Sequence, residues 1–228
     1  MENRLTPRQL GQLRSMDTAT IANAIETFGV RHHTEGYMGN DVRCLTPELG
    51  PMLGYAVTAV LDSTSRDPRP NANGAQAFYR ILAEAPKPAV VVIQDGGEQR
   101  THSCLAGDVM ATLFQRLGAA GLITNGNVRD LAGIRELDQF HVFAAGIVPS
   151  HGLLTWIGAD VPVTLSRLTV HPGDLIHADA NGVVLIPHGI AGRLAEATRP
   201  IIAREEKIKE FANSSEFSVD GLMKFLKS

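Results

Sequence analysis

The chain has 228 residues, a formal net charge of -3, a hydrophobic fraction of 44% and a charged fraction of 20%. That length suits one domain with a sizeable core, or at most two small ones, and the composition is globular rather than disordered. The slightly acidic balance, with no cluster of Lys or Arg, excludes nucleic-acid binding driven by bulk electrostatics.

Thr6-Pro7 predicts a helix start, with Thr as N-cap and Pro at the first helical position. Leu10, Leu13 and Met16 give that helix an apolar side. A second helix starts at Asp17 or Thr18 and ends at Gly29, burying Ile21, Ala24, Ile25 and Phe28. Residues 30–52 lack a sustained period and read as loop with short extended pieces. A strand is predicted over 53–62, a polar Pro-containing loop over 63–73, and a helix over about 74–85, stopped by Pro86 and Pro88.

From there the pattern alternates. PAVVVIQDGG is a continuous apolar run, as in a strand buried on both faces. GDVMATLFQRLG is a helix ended by Gly118, GLITNG a strand, RDLAGIREL a short helix and FHVFAAG a further strand. This β-α-β-α-β order predicts a local parallel sheet with right-handed crossovers. Residues 161–187 hold short β segments separated by turns: VPVTLSRLTV, then DLIHAD and VVLIP, with Asn181-Gly182 as a hairpin signal. Residues 188–212 are helical, with mixed charges such as Arg204, Glu205, Lys207 and Lys209, and a last helix runs from Val219 to Lys227. The expected class is α/β, in one domain over 1–228, with a parallel centre, an antiparallel β section and terminal helices. The segment about 188–228 has more length than a compact domain needs and is expected to pack on a neighbouring subunit.

The chemistry concentrates between Gly107 and Asp130, in GDVMATLFQRLGAAGLITNGNVRD. Gly107, Asp108, Val109 and Met110 sit where a helix begins. Its first N–H groups have no internal partners, and the helix dipole adds partial positive charge, so a ligand carboxylate is stabilised there. Asp108 as a plain N-cap is the simpler alternative. Arg129 and Asp130 follow a buried strand, and ligands of open α/β sheets collect beyond the carboxyl ends of strands. Arg129 can hold a carboxylate bidentately, and Asp130 can ligate a hard cation such as Mg²⁺ or Mn²⁺. Alternatively, Asp130 supports the following helix and pairs with Arg129 or Arg135. Together the two segments fit metal-assisted chemistry on a carboxylate-bearing substrate.

The Asp-x20-Arg-Asp spacing of Asp108, Arg129 and Asp130 resembles the RraA-like family, which includes the 4-hydroxy-4-methyl-2-oxoglutarate aldolase/oxaloacetate decarboxylases and is named for a regulator of RNase E activity. HPGDLIHADANGVVLIP and TATIANAIETFG carry further resemblance, so that it spans most of the chain, with 63–73 matching less well. The resemblance implies a swivelling-type β/β/α domain assembled as a homotrimer or a hexamer, with sites at subunit interfaces. It implies that backbone groups of Gly107 to Met110 bind the pyruvyl carboxylate, that Arg129 stabilises an enolate, and that Asp130 ligates Mg²⁺ or Mn²⁺ largely through water. Aldolase members carry an acid three positions after that Asp; here the residue is Gly133, with Glu136 one turn further as a partial substitute. An acid from a neighbour's C-terminal helix also approaches the metal, with Glu205 and Glu206 in the corresponding region.

The function so read is a class II, divalent-metal-dependent lyase cleaving a C–C bond of a 2-oxo acid through a pyruvate enolate. The alternatives are a non-catalytic RNase-regulating binding protein, or a lyase of the same fold acting on another sugar-derived or oxo acid. Lesser candidates each have a plain structural explanation. His151, in PSHG, is either a loop histidine or a pocket acid/base. His32-His33 on a strand would face opposite ways. Asp174 and Asp179 fit turn chemistry, Asp95-Gly96-Gly97 ends a strand on the Arg129 side, and Trp156 reads as packing. Cys44 and Cys104 lack metal or redox spacing and read as reduced thiols. The N-terminus has no apolar signal-peptide core, and no run approaches the roughly 20 apolar residues that span a bilayer, so a cytoplasmic, membrane-free protein is expected.

Overall fold

A computed structural model of the chain describes residues 4–65 and 72–227. It opens with helices α1 (Pro7–Arg14) and α2 (Thr18–Glu26), the short strand β1 (Arg43–Cys44) and the long strand β2 (Met52–Ser65). An alternating section follows: α3 (Ala72–Glu84), β3 (Ala89–Asp95), β4 (Cys104–Ala106), α4 (Asp108–Arg116), β5 (Ala119–Thr124), β6 (Asn127–Val128), α5 (Leu131–Arg135), β7 (His141–Ala144) and β8 (Gly146–Ile147). Next come β9 (Leu153–Ala159), β10 (Val163–Leu165), β11 (Leu168–Val170), β12 (Leu175–Asp179) and β13 (Gly182–Ile186). Helices α6 (His188–Ala212) and α7 (Val219–Lys227) follow. No described helix is long and apolar enough to cross a membrane.

The main sheet runs β1-β7-β5-β3-β2-β12-β13, with β9 also on β2. Strands β3, β5 and β7 are parallel, as the alternating pattern predicts, and β2 joins them parallel to β3. Strand β2 is where parallel meets antiparallel. One edge pairs with β3 over 55–61; the other pairs with β12 over 52–55 and with β9 over 59–65. The apolar run of β3 is buried on both faces. Val91 and Ile93 pack with Phe78, Leu82 and Phe114 of α3 and α4, while Val90 and Val92 pack with Val163, Leu165, Leu168 and Val170 of the β10–β11 hairpin.

The terminal helices form a third packed region. Thr6 closes a capping box with Gln9, and Asp17 caps α2 through the Thr20 amide. Leu13, Ile21 and Ile25 then meet Ile190 and Leu194 of α6 over β12 and β13. His177, wholly buried on β12, ties these layers together: Nε2 lies 3.1 Å from the Leu13 carbonyl oxygen and Nδ1 2.9 Å from the Thr18 hydroxyl. Asp179 accepts from the Thr18 amide and, across the Asn181-Gly182 turn, from the Asn181 amide, both at 2.8 Å. The predicted hairpin is therefore present, and Asp179 does more than shape its turn.

Some expectations change. VPVTLSRLTV is not one extended piece but a tight hairpin, turning at Ser166-Arg167 with both residues at positive φ (48° and 65°). No Gly or Asn marks that turn, so the usual signal is missing. Strand β9 went unpredicted because of its residues only Trp156 is buried, which leaves no clear alternation. Trp156 packs as expected, its ring 4.8 Å from Phe78. Of the expected loop 63–73, Ser63–Ser65 belongs to β2 and Ala72 and Asn73 to α3, while 66–71 lie outside the described residues. His32 and His33 lie in a loop, not on a strand, and their rings stack at 4.0 Å.

One buried group makes stability depend on pH. His141, on β7, is 2% exposed, and among the described residues neither ring nitrogen has a hydrogen-bond partner. Burial, with help from the Arg14 charge and against that of Glu48, pushes its pKa down from 6.5 to about 4. Between those values the unfolded chain binds a proton that the folded one does not, so folding stability falls as pH drops through that window. The expected loss is up to about 3 kcal/mol. Urea unfolding of wild type and His141→Leu at pH 7.5 and pH 4.5 checks this: the variant should lose much less stability between the two, and equal losses would contradict it.

Candidate functional site

Past the carboxyl ends of β3, β5 and β7, the chain runs into three further short strands, β4, β6 and β8. These pair with one another as a second, parallel sheet in the order β4-β6-β8. The sheet brings the two predicted segments together. Cys104 pairs with Asn127 and Ala106 with Val128, and the Arg129 amide donates to the Ala106 carbonyl at 3.0 Å. Gly107 and Arg129 thus leave adjacent strands side by side, each entering a helix. Asn127 anchors the layer, its side-chain amide donating to the carbonyls of Arg100 (2.7 Å) and Ser103 (3.1 Å).

All six residues singled out from the sequence (Gly107, Asp108, Val109, Met110, Arg129 and Asp130) line one cavity of about 190 Å³. His151, Leu154 and Cys104–Ala106 complete it. Gly107 is the N-cap of α4, with no side-chain cap. A Cβ there would lie 2.7 Å from Asp130 Oδ2 and 3.3 Å from Arg129 Nε, so a glycine is what lets the pair lie against the helix entrance. Asp108 is the first helical residue rather than the cap, and its carboxylate accepts from the Val109 amide at 2.8 Å. The Val109 donor is therefore engaged within the chain. At the helix start the amides of Asp108 and Met110 have no carbonyl one turn back within α4.

Asp130 holds φ 55° and ψ 37°, a left-handed conformation that aspartate adopts more readily than most non-glycine residues. It precedes α5 without capping it by its side chain. Its Oδ2 lies 3.2 Å from Arg129 Nε, so the predicted Arg–Asp pairing exists. Both side chains are about two-fifths open to solvent (36% and 41%). Such a pair adds little to stability. Burial raises the Cys104 thiol pKa, partly offset by the Arg129 charge, so Cys104 lines the cavity as a thiol and not as a nucleophile.

Other candidates fall outside the cavity lining. Glu136 is at the far end of α5 as its C-cap. Asp174 accepts from the His171 amide at 2.8 Å, as turn chemistry predicts. Asp95 is 2% exposed and braces the strand ends, accepting from Ser63 and from the Gly97 amide. Glu205 lies 3.9 Å from Lys209 on α6.

Residues 18–185 match the sequence profile of the RraA-like family, described as aldolase/RraA. The chain belongs to the RraA-like family. Protein DlpA of Legionella pneumophila is 28% identical over 211 residues, 92% of this chain but 32% of DlpA, so the chain spans about a third of the length of that curated relative. An uncharacterized protein from Pseudomonas syringae pv. tomato superposes with a TM-score of 0.74 at 20% identity, covering 98% of this chain and 97% of that one. RraAS2 of Streptomyces coelicolor, described as an unusual member of the RNase ES inhibitor RraA protein family, gives 0.73 at 24% identity, over 91% and 99%. These likenesses establish an RraA-type mixed α/β fold. In this RraA-like chain, what sequence reasoning missed is the support of the site: the β4-β6-β8 sheet, and the buried Ser63 and Ser103 beneath the loop that carries His151. None shows a local pattern, because each depends on segments far apart in sequence.

Proposed function

We propose that this RraA-like protein is a divalent-metal-dependent lyase that cleaves a C–C bond of a small 2-oxo acid. The observation carrying the reading is the convergence of Arg129, a left-handed Asp130 and an uncapped helix start on one small cavity. A purely docking protein has no use for a metal-ligating carboxylate beside a guanidinium in a cavity.

The residues fit a hard cation. Among the described residues no three His, Cys, Asp or Glu side chains form a metal cage. Two carboxylates do flank the cavity, each against a glycine: Asp130 Oδ2 would lie 2.7 Å from a Cβ at Gly107, and Asp108 Oδ2 2.9 Å from one at Gly133. One or two carboxylates with water and substrate oxygens is the usual donor set of Mg²⁺ and suits Mn²⁺. When bound, the cation supplies Lewis acidity toward the 2-keto oxygen. Asp130 would hold it, with Asp108 as the second acid.

The helix start of α4 would receive the substrate carboxylate. Arg129 would stabilise negative charge on the pyruvyl oxygen as the bond breaks, where a fixed donor contributes most. The cavity admits a ligand of few heavy atoms, which favours small oxo acids. Val109 and Leu113 form an exposed apolar stripe on α4, and Ile147 is exposed at the end of β8. That surface supports a homotrimer or hexamer in which a second subunit borders the site, with Glu205 or Glu206 as the neighbour's acid. Pyruvate release from 4-hydroxy-4-methyl-2-oxoglutarate and from oxaloacetate, with Mg²⁺ and with chelator, tests the reading. Metal-dependent release from at least one is expected; release from neither contradicts it.

A further inference from the structure

We infer that His151 is the base that moves the proton in this cavity, acting through Nε2; the inference rests on the lyase reading above. His151 lines the same cavity as Arg129 and Asp130. Its Nδ1 lies 3.0 Å from the Gly152 carbonyl oxygen. A carbonyl only accepts, so Nδ1 carries the hydrogen. The lone pair of the neutral ring is then on Nε2, which is the protonation state a general base requires.

The loop carrying His151 is held from below by buried polar groups. The Ser63 hydroxyl donates to Asp95 Oδ2 at 2.5 Å, and the Ser63 carbonyl accepts from the Ser103 hydroxyl at 2.6 Å. Ser103 Oγ in turn accepts from the Gly152 amide at 3.0 Å. Asp95, Ser63 and Ser103 are all at least 97% buried, with exposures of 2%, 0% and 3%. A Cβ at Gly152 would collide with the Ser63 carbonyl oxygen, so the loop lies directly on β2. A satisfied buried network of this kind is rigid, and it fixes the residue next to His151.

The other titratable groups lining the cavity are poor bases for this step. The Arg129 guanidinium offers only donors. Asp130 is paired with Arg129. Asp108 accepts from the Val109 amide, and burial keeps Cys104 a thiol. On a 4-hydroxy-2-oxo acid, His151 Nε2 takes the proton of the 4-hydroxyl. The C4–O bond becomes a carbonyl as C3–C4 breaks, and that electron pair enters the pyruvyl fragment as its enolate. The imidazolium then returns the proton to C3. For 4-hydroxy-4-methyl-2-oxoglutarate the products are two pyruvates, with no net proton change and no oxidant. Loss of CO₂ from oxaloacetate starts from a carboxylate already ionised and removes no proton, so its bond-breaking step needs no base.

The two activities therefore separate in His151 variants. In His151→Ala and His151→Gln, the ratio of hydroxy-acid cleavage to oxaloacetate decarboxylation should fall by about 100-fold relative to wild type. Two variants are used so that loss of the imidazole is read apart from loss of side-chain bulk. An unchanged ratio in both overturns the role of His151 and leaves the lyase reading standing, as does a wild type that decarboxylates without cleaving the hydroxy acid. A wild type that releases pyruvate from neither substrate overturns both.

Discussion

Replacing Asp130 by alanine is expected to lower pyruvate release by about 10²–10³-fold, and Arg129→Ala by a similar factor, the scale seen when a fixed group at a developing charge is removed. Neither change should unfold the protein. The two side chains are two-fifths exposed and their mutual pair lies at the surface, where such pairs contribute about 0–1 kcal/mol. Asp130→Gly separates the two features of this residue. Glycine adopts the left-handed conformation at φ 55° without steric cost, so stability should hold or rise slightly while activity is lost. Steady-state pyruvate assays with thermal unfolding of the same samples read both. An Asp130→Gly protein with wild-type turnover would mean that the carboxylate has no part in the chemistry.

Gly107→Ala is the second large effect expected, and it comes from a single methyl group. At φ -124° the backbone accepts alanine, so the cost is steric alone. The new Cβ would sit 2.7 Å from Asp130 Oδ2 and 3.3 Å from both Cγ and Nε of Arg129. Both side chains are partly exposed and can move outward, so the thermal midpoint should shift little. Moving them also dismantles the site, because a displacement of roughly 1 Å in positioned groups can cost on the order of 100-fold in rate. The expected result is a folded protein with turnover reduced about 10–100-fold. Full activity would show that Arg129 and Asp130 need not lie against the helix entrance. A large loss of stability would show instead that Gly107 is kept for folding.

The sequence was most readable where the physics is local. Capping residues Thr6 and Asp17 start their helices as their side-chain chemistry requires. The unbroken apolar run of β3 is covered on both faces. The placement of Gly107 and Arg129 at adjacent strand-to-helix junctions followed from the alternating pattern and from the rule that sites gather at strand carboxyl ends. What stayed hidden depends on tertiary contact. Strands of two or three residues, such as Asn127–Val128 and Gly146–Ile147, are too short to show a period of two. The left-handed Asp130, between β6 and α5, carries no glycine to signal it in the sequence. The His151 loop is set by Gly152 resting on Ser63, 89 positions earlier in the chain. Ser166-Arg167 turns a hairpin without Gly or Asn, held by Ser166 bonding to Asp41 and accepting from the Gly39 amide.

The proposed function places oxo-acid cleavage in the cavity at the start of α4, beside Arg129 and Asp130, with a cation held at Asp130. Pyruvate release from oxaloacetate, by wild type and Asp130→Ala side by side, with Mg²⁺ and with chelator, tests it most directly. Turnover in wild type should require the metal, and the variant should show none above background under either condition. Turnover that survives chelation, or an Asp130→Ala protein as active as wild type, would contradict it.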